Sequence, residues 1–215
     1  MTAEILTSTI FTNYGGKTGT STSFALAAAF EIAEHEMSSH LHTLLVPANV
    51  SGTYLWNMGN PFEMDYGYVH AILGVNLVVA YNNIYSYSAT DLAHNIYIRN
   101  SKYGQVDIGL CPCPSCPYQV NVYYNAGLPS IISTAPDFLW ALTMAAQLVL
   151  NEMSTDGFLA NETPGGIGVQ SFSNELYSEK RTPLGHTIFG SSPIAQNIAR
   201  VVNQFRCRSI GRFRR

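Results

Sequence analysis

Residues 118–153 read YQVNVYYNAGLPSIISTAPDFLWALTMAAQLVLNEM, and their hydrophobic period changes once along the stretch. Tyr118, Val120, Val122 and Tyr124 alternate with Gln119, Asn121 and Tyr123, the period of a strand with one buried face. Asn125-Ala126-Gly127 ends the alternation, and Pro129 bars an immediate continuation. Pro136 then suits the first turn of a helix, where its missing N–H costs nothing, and Asp137 complements the positive helix end. Phe138, Leu142, Ala145, Val149 and Met153 share one helical face. The stretch therefore demands a fold with both a half-exposed sheet and a buried helix. It carries no catalytic group, so it reads as scaffold.

The rest of the chain fits that demand. Leu26, Phe30, Ala33, Met37, Leu41 and Leu44 form an apolar stripe that predicts a helix over 23–45, capped by Thr22 or Ser23 and closed by Pro47. Its other side carries Glu31, Glu34, His35, Ser38 and His42, the composition of an exposed or intersubunit face. Strands are expected at 50–56, within 66–81, and at 94–99 and 105–110 around a hairpin at Ser101–Gly104. The tract 82–93 reads as a polar, tyrosine-rich loop. Ser171–Glu179 alternates loosely after a polar, glycine-rich link. Ser191 or Ser192 caps a last helix over 193–206, with Pro193 at its first position and a narrow stripe of Ile194, Ile198, Val201, Val202 and Phe205. The expected fold class is α+β, mainly helical, with helices packed around a small antiparallel β-sheet, extended loops and a C-terminal helix plus arm. The chain divides into an extended N-terminal segment (1–22), a core (23–190) and a C-terminal helix and arm (191–215).

Enzyme motifs fail on spacing or ligand count. Gly15-Gly16-Lys17-Thr18 resembles part of a P-loop, but Phe11 stands where the first glycine belongs. His35-Glu36 is followed by His40, one residue beyond the spacing that puts two rings on one helical face around zinc. Cys111, Cys113 and Cys116 lie in a Cys-Pro loop whose fourth ligand could come from Cys207 or a histidine. With no fourth ligand nearby in sequence, a local disulfide or free thiols in a rigid loop fit better. The expectation is no enzyme, no cofactor and no metal.

Charge is low and uneven. Only 12% of residues are charged, which suits a surface covered by partners. Residues 1–199 hold five basic against fourteen acidic residues, whereas Arg200, Arg206, Arg208, Arg212, Arg214 and Arg215 crowd the last sixteen positions. A basic arm binds an acidic protein surface or nucleic acid. No secretory signal is expected from MTAEILTSTIF, and no membrane span from any apolar run.

The segment Phe24–Trp56, with AFEIAEHEM and LLVPANVSGTYLW, resembles the start of the head-to-tail connector (adaptor) proteins of tailed bacteriophages. VYYNAGLPS, APDFLWAL and AAQLVLNEM within Val120–Met153, and the ending LGHTIFGSSPIAQNIARVVNQFR, are similar to the same family. The resemblance implies a virion protein at the head-tail interface, assembled in the host cytoplasm. It implies a homo-oligomeric ring, commonly a dodecamer, that joins the portal protein to tail or neck proteins and extends the channel for packaged DNA. Carried onto this chain, it makes Ile194, Ile198, Val202, Phe205, Arg206, Arg208, Arg212, Arg214 and Arg215 the expected portal-docking residues. Two alternatives remain: a metal- or thiol-dependent module centred on the Cys-Pro loop, and a nucleic-acid-binding protein using the arm.

Overall fold

The structure is a computed structural model and describes residues 3–19, 21–56, 61–80, 88–110, 118–154, 171–173, 178–180, 188–190 and 192–207. The Cys-Pro loop at 111–117, the Tyr-rich tract at 82–87, the glycine-rich link at 155–170 and Arg208–Arg215 lie outside the described residues. The fold is α+β. Its described helices are α1 (Ser8–Asn13), α2 (Ser23–Leu41), α3 (Ala89–Asn95), α4 (Ser130–Ser133), α5 (Pro136–Ser154) and α6 (Pro193–Val202). Its strands are β1 (Ala48–Trp56), β2 (Phe62–Glu63), β3 (Val69–Ala80), β4 (Ile96–Asn100), β5 (Gln105–Ile108), β6 (Tyr118–Ala126), β7 (Ser171–Ser173) and β8 (Ser178–Lys180).

These elements fall into two compact units that are discontinuous in sequence. One holds Met1–Leu41 and Ile131–Phe205; the other holds His42–Ser130 and Arg206–Arg215. The chain thus crosses between units inside the opening stretch, after β6 and before α5.

In the sheet unit, β6 is the middle strand of an antiparallel sheet of order β1-β6-β3. The alternation in sequence is the alternation in space. Val120, Val122, Tyr124 and Ala126 are fully buried, while Tyr123 is exposed and Asn121 and Asn125 half-buried. Val120 and Val122 each contribute about 1.5–3 kcal/mol by leaving water. A second sheet, β2-β5-β4, and Leu92 of α3 close the same core, with Trp56, Phe62, Val75 and Val106 inside it. The hairpin β4–β5 turns through Ser101–Gly104, as its sequence predicts. Helix α3 starts inside the tract read as a loop over 82–93 and runs on through Asn95, so the strand expected at 94–99 begins only at Ile96. Ser88 and Asp91 form a reciprocal capping box, and the Ser88 hydroxyl and then the Ser88 N–H, both donating to the Asp91 carboxylate, hold that carboxyl below its ordinary value.

In the helical unit, α5 is the hub. It packs against α1, α2 and α6. Phe138, Leu142, Ala145 and Val149 are buried as expected, but so are Leu139, Ala141, Ala146 and Leu150. Contact with several helices buries a wider arc than one stripe, while Met153 is only half-buried.

The first expected helix and the segment before it both differ from the expectation. The first helix ends at Leu41, because His42 turns into the left-handed region at φ 55°. Thr43 then donates its hydroxyl to the Gly67 carbonyl at 2.9 Å, and Leu44 accepts from the Leu128 N–H at 2.8 Å. Leu44 therefore serves the sheet unit and not the helical stripe. The segment expected to be extended over 1–22 contains α1, capped by Thr7, with Phe11 buried 5.1 Å from the Phe30 ring.

Candidate functional site

The C-terminal helix is built as its sequence asks. The Ser192 hydroxyl accepts from the Ala195 N–H at 3.2 Å, and Pro193 takes the first turn. The helix stops at Val202 and a turn carries the chain through Phe205. Ile198 and Val202 are fully buried, and α6 packs on α5 of its own chain. Phe205 is half-buried and meets the Phe138 ring edge-on at 6.0 Å. The narrow apolar stripe needs a cover, and α5 supplies it. As folded, Ile198 and Val202 therefore present no surface to a partner. Of the nine expected docking residues, Ile194 (47% exposed) and Arg206 face solvent. Arg208, Arg212, Arg214 and Arg215 lie outside the described residues. Arg200 is exposed too, so the described basic groups at this end point outward.

Cys207 stands at the root of the arm and is buried within the sheet unit. It is a free thiol. A side chain on Gly67 would strike its Sγ and the Lys102 carbonyl, so glycine at 67 is what lets Cys207 seat. Burial pushes the Cys207 thiol up to about 11, against a smaller opposing pull from the Lys102 ammonium. A protonated, tightly packed thiol is a poor metal ligand or nucleophile. Because the folded value lies above the ordinary 9.0, this contribution to stability is intact below pH 9 and is lost as pH rises through 11. Burial likewise raises Tyr68, to about 12 from 10.0, and raises Tyr54 and Tyr124, whose hydroxyls lie 3.1 Å apart. Chemical denaturation across pH 8–11 is expected to show stability falling from about pH 9. In Cys207→Ala the decline should start about one unit later, with the tyrosines; an unchanged onset would show that Cys207 does not drive it.

The remaining motifs have other employment. The N–H groups of Gly15, Gly16 and Lys17 donate to the Thr12 carbonyl, the Phe11 carbonyl and Gln147 Oε1 at 3.2, 2.8 and 2.6 Å. They follow a helix, and their donors are spent within the chain, so they form no phosphate cradle. His40 stacks on Phe189 at 3.9 Å and its Nε2 lies 3.0 Å from Asn203 Oδ1, whereas His35 is exposed. Among the described residues no three His, Cys, Asp or Glu side chains converge as metal ligands. Among them too, no helix is long and apolar enough to cross a membrane.

One polar residue was misplaced by sequence reasoning. Glu34, assigned to the exposed face, is 8% exposed. Its carboxylate accepts the backbone N–H groups of Glu4, Ile5 and Leu6 at 2.7, 2.9 and 2.7 Å. This ties the N-terminal segment to α2. Glu34 lies one position from Ala33 of the stripe, at its border, which is the one sequence hint of burial.

No family model matches the sequence, and no curated protein matches it. Solved structures share its fold. One chain comes from the virion of a native gene transfer agent particle: 12% identity, TM-score 0.54, with 98% of this chain and 94% of that chain covered. Another comes from the neck of an empty gene transfer agent particle computed with C6 symmetry: 12% identity, TM-score 0.52 and the same coverage.

Proposed function

We propose that the chain is a non-enzymatic structural protein of a phage-type particle neck, where it forms a ring that joins the portal to the tail. The observation that carries this reading is the fold shared over nearly the whole chain with a component of a gene transfer agent neck. The connector-like segments at Phe24–Trp56 and Val120–Met153 support it independently. So does the absorption of the P-loop-like tract and His40 into ordinary packing. The ring is a dodecamer, a copy number compatible with sixfold averaging, and its bore continues the DNA channel. The arm, together with exposed Ile194 and Arg206, docks on an acidic face of the portal.

Negative-stain imaging of the purified protein, alone and on particles, tests the reading. A closed ring, or density at a capsid vertex, is expected; a dispersed monomer under both conditions overturns it. Deleting Arg208–Arg215 tests the arm. The cut spares buried Cys207, so the protein is expected to keep its melting temperature and to bind portal at least about tenfold more weakly. Undiminished portal binding would sink the assignment of the arm. Loss of salt-dependent DNA binding in the same variant, with portal binding intact, would instead favour the nucleic-acid reading.

A further inference from the structure

We infer that Gly67-Tyr68 is a clasp that pins the root of the basic arm to the sheet unit, so that the arm reaches its partner from a fixed point. Its use in docking rests on the reading above; the clasp itself rests on geometry within the sheet unit. The chain passes between its two units three times, after Leu41, after Ser130 and after Phe205. Within the sheet unit, the chain beside each passage attaches to this one dipeptide. The Gly67 N–H donates to the His42 carbonyl at 3.2 Å, and the Thr43 hydroxyl donates to the Gly67 carbonyl at 2.9 Å. The Gly127 N–H donates to the Tyr68 carbonyl at 3.2 Å. Cys207 follows the third passage and seats on Gly67. A Cβ on that glycine would strike the Cys207 Sγ and lie 2.8 Å from the Cys207 Cβ.

The dipeptide is a firm post. The Tyr68 N–H donates to the Lys102 carbonyl at 3.3 Å, so both N–H groups and both carbonyls of the pair are engaged. Tyr68 is buried and sits in the left-handed region at φ 53°. A tyrosine keeps that conformation only where its surroundings over-determine it. The next residue is fixed as well. The Val69 N–H donates to the Ser101 carbonyl at 3.0 Å, and the Ser101 hydroxyl donates to the Val69 carbonyl at 2.6 Å. Fit holds Cys207 on this post: its side chain is buried against the bare glycine, and a longer one overpacks the seat.

The arm gains a defined origin. Helix α6 and the turn after it belong to the helical unit, which ends at Phe205, whereas Arg208–Arg215 follow directly on Cys207 in the sheet unit. A chain end hanging loose from a helix terminus loses more freedom on docking than one already pinned at its root. The clasp removes part of that loss before the partner arrives.

Two measurements test it. The first uses the wild-type chain alone. A pulse of iodoacetamide, read peptide by peptide, is expected to modify Cys207 at least about a hundredfold more slowly in the native protein than in urea. Alkylation at the same rate in both overturns the clasp. The second compares Cys207→Gln, too long for the seat, with Cys207→Ala, which fits it, after thermal melting confirms that each is folded. Portal binding should weaken about tenfold in the Gln variant and stay unchanged in the Ala variant. In a chain lacking Arg208–Arg215, the Gln substitution should change portal binding less than about twofold. A folded Gln variant that binds portal like wild type overturns the inference, and so does an equal loss with and without the arm. Should the Gln variant fail to fold, the alkylation rate of the wild type still decides whether the root is pinned. A protected Cys207 in a wild-type chain that binds no portal sinks the docking reading and leaves the clasp standing.

Discussion

Gly127→Ala is expected to destabilise the sheet unit by about 3–5 kcal/mol, through backbone strain and overpacking together. Gly127 sits at φ 146°, a conformation that side-chain-bearing residues rarely adopt. A Cβ there would lie 2.7 Å from the Pro47 Cα and 2.7 Å from the Val46 carbonyl oxygen. Both are backbone atoms, so no rotamer change relieves the clash. Neither can the segment simply move away. The Gly127 N–H donates to the Tyr68 carbonyl at 3.2 Å, and the next N–H, of Leu128, donates to Leu44 at 2.8 Å. One residue thus joins the end of β6 to the chain entering β1 and to the turn before β3. A loss of this size is a large share of the total stability of an ordinary domain. The chain's two tryptophans separate the units: buried Trp56 lies in the sheet unit, Trp140 in the helical one. Denaturation of a Trp140→Phe background, followed by Trp56 fluorescence, should show the full shift. A Gly127→Ala variant within about 1 kcal/mol of the parent would refute this account of the glycine.

Glu34→Ala is expected to release the N-terminal segment and cost the helical unit about 3 kcal/mol, because hydrogen bonds to a charged acceptor are the stronger kind. The variant strands three N–H groups at once, those of Glu4, Ile5 and Leu6. Leu6 is itself buried and Phe11 fully so, and both lose their tether to α2. Glu34→Gln should cost about half as much. Its one amide oxygen can still accept from Ile5 and Leu6, while its NH2 group faces the Glu4 N–H. Hydrogen exchange reads the effect directly: amides 4–6 should be protected in the parent and exchange freely in Glu34→Ala. Protection that survives the alanine change would show that apolar packing alone holds the segment.

These two residues differ in how far the sequence announces them. Gly127 stands where the period-2 pattern stops, so a stop was legible there, although the close approach of Pro47 was not. Glu34 reads as a surface residue apart from its place at the border of the apolar stripe. Its burial arises from contact with a segment twenty-eight positions away at Leu6, which no local pattern encodes. Helix α3 lies between these cases. The Ser88 and Asp91 spacing is a capping-box signal, outweighed in the sequence by the polar and aromatic composition around it.

The C-terminal stripe carries the same lesson at the candidate site. Ile198, Val202 and Phe205 announce an amphipathic helix, and the chain forms one over Pro193–Val202. Spacing says that such a stripe needs a cover; it does not say whose. The cover is α5, and of the described residues expected at the site, Ile194 and Arg206 are the exposed ones.

By itself the sequence determined the local elements. Alternation made β6 a half-buried strand, the 3.6-residue stripe made α2, α5 and α6 helices, and proline, serine and glycine positions set most of their limits. Those signals are local because they come from backbone geometry repeating every two or every 3.6 residues. The tertiary structure alone decided that the 118–153 stretch serves two units, with β6 central to one and α5 the hub of the other. It alone decided that Glu34 and Cys207 are inside. Burial depends on what arrives from elsewhere in the chain, and that is a property of the assembled fold.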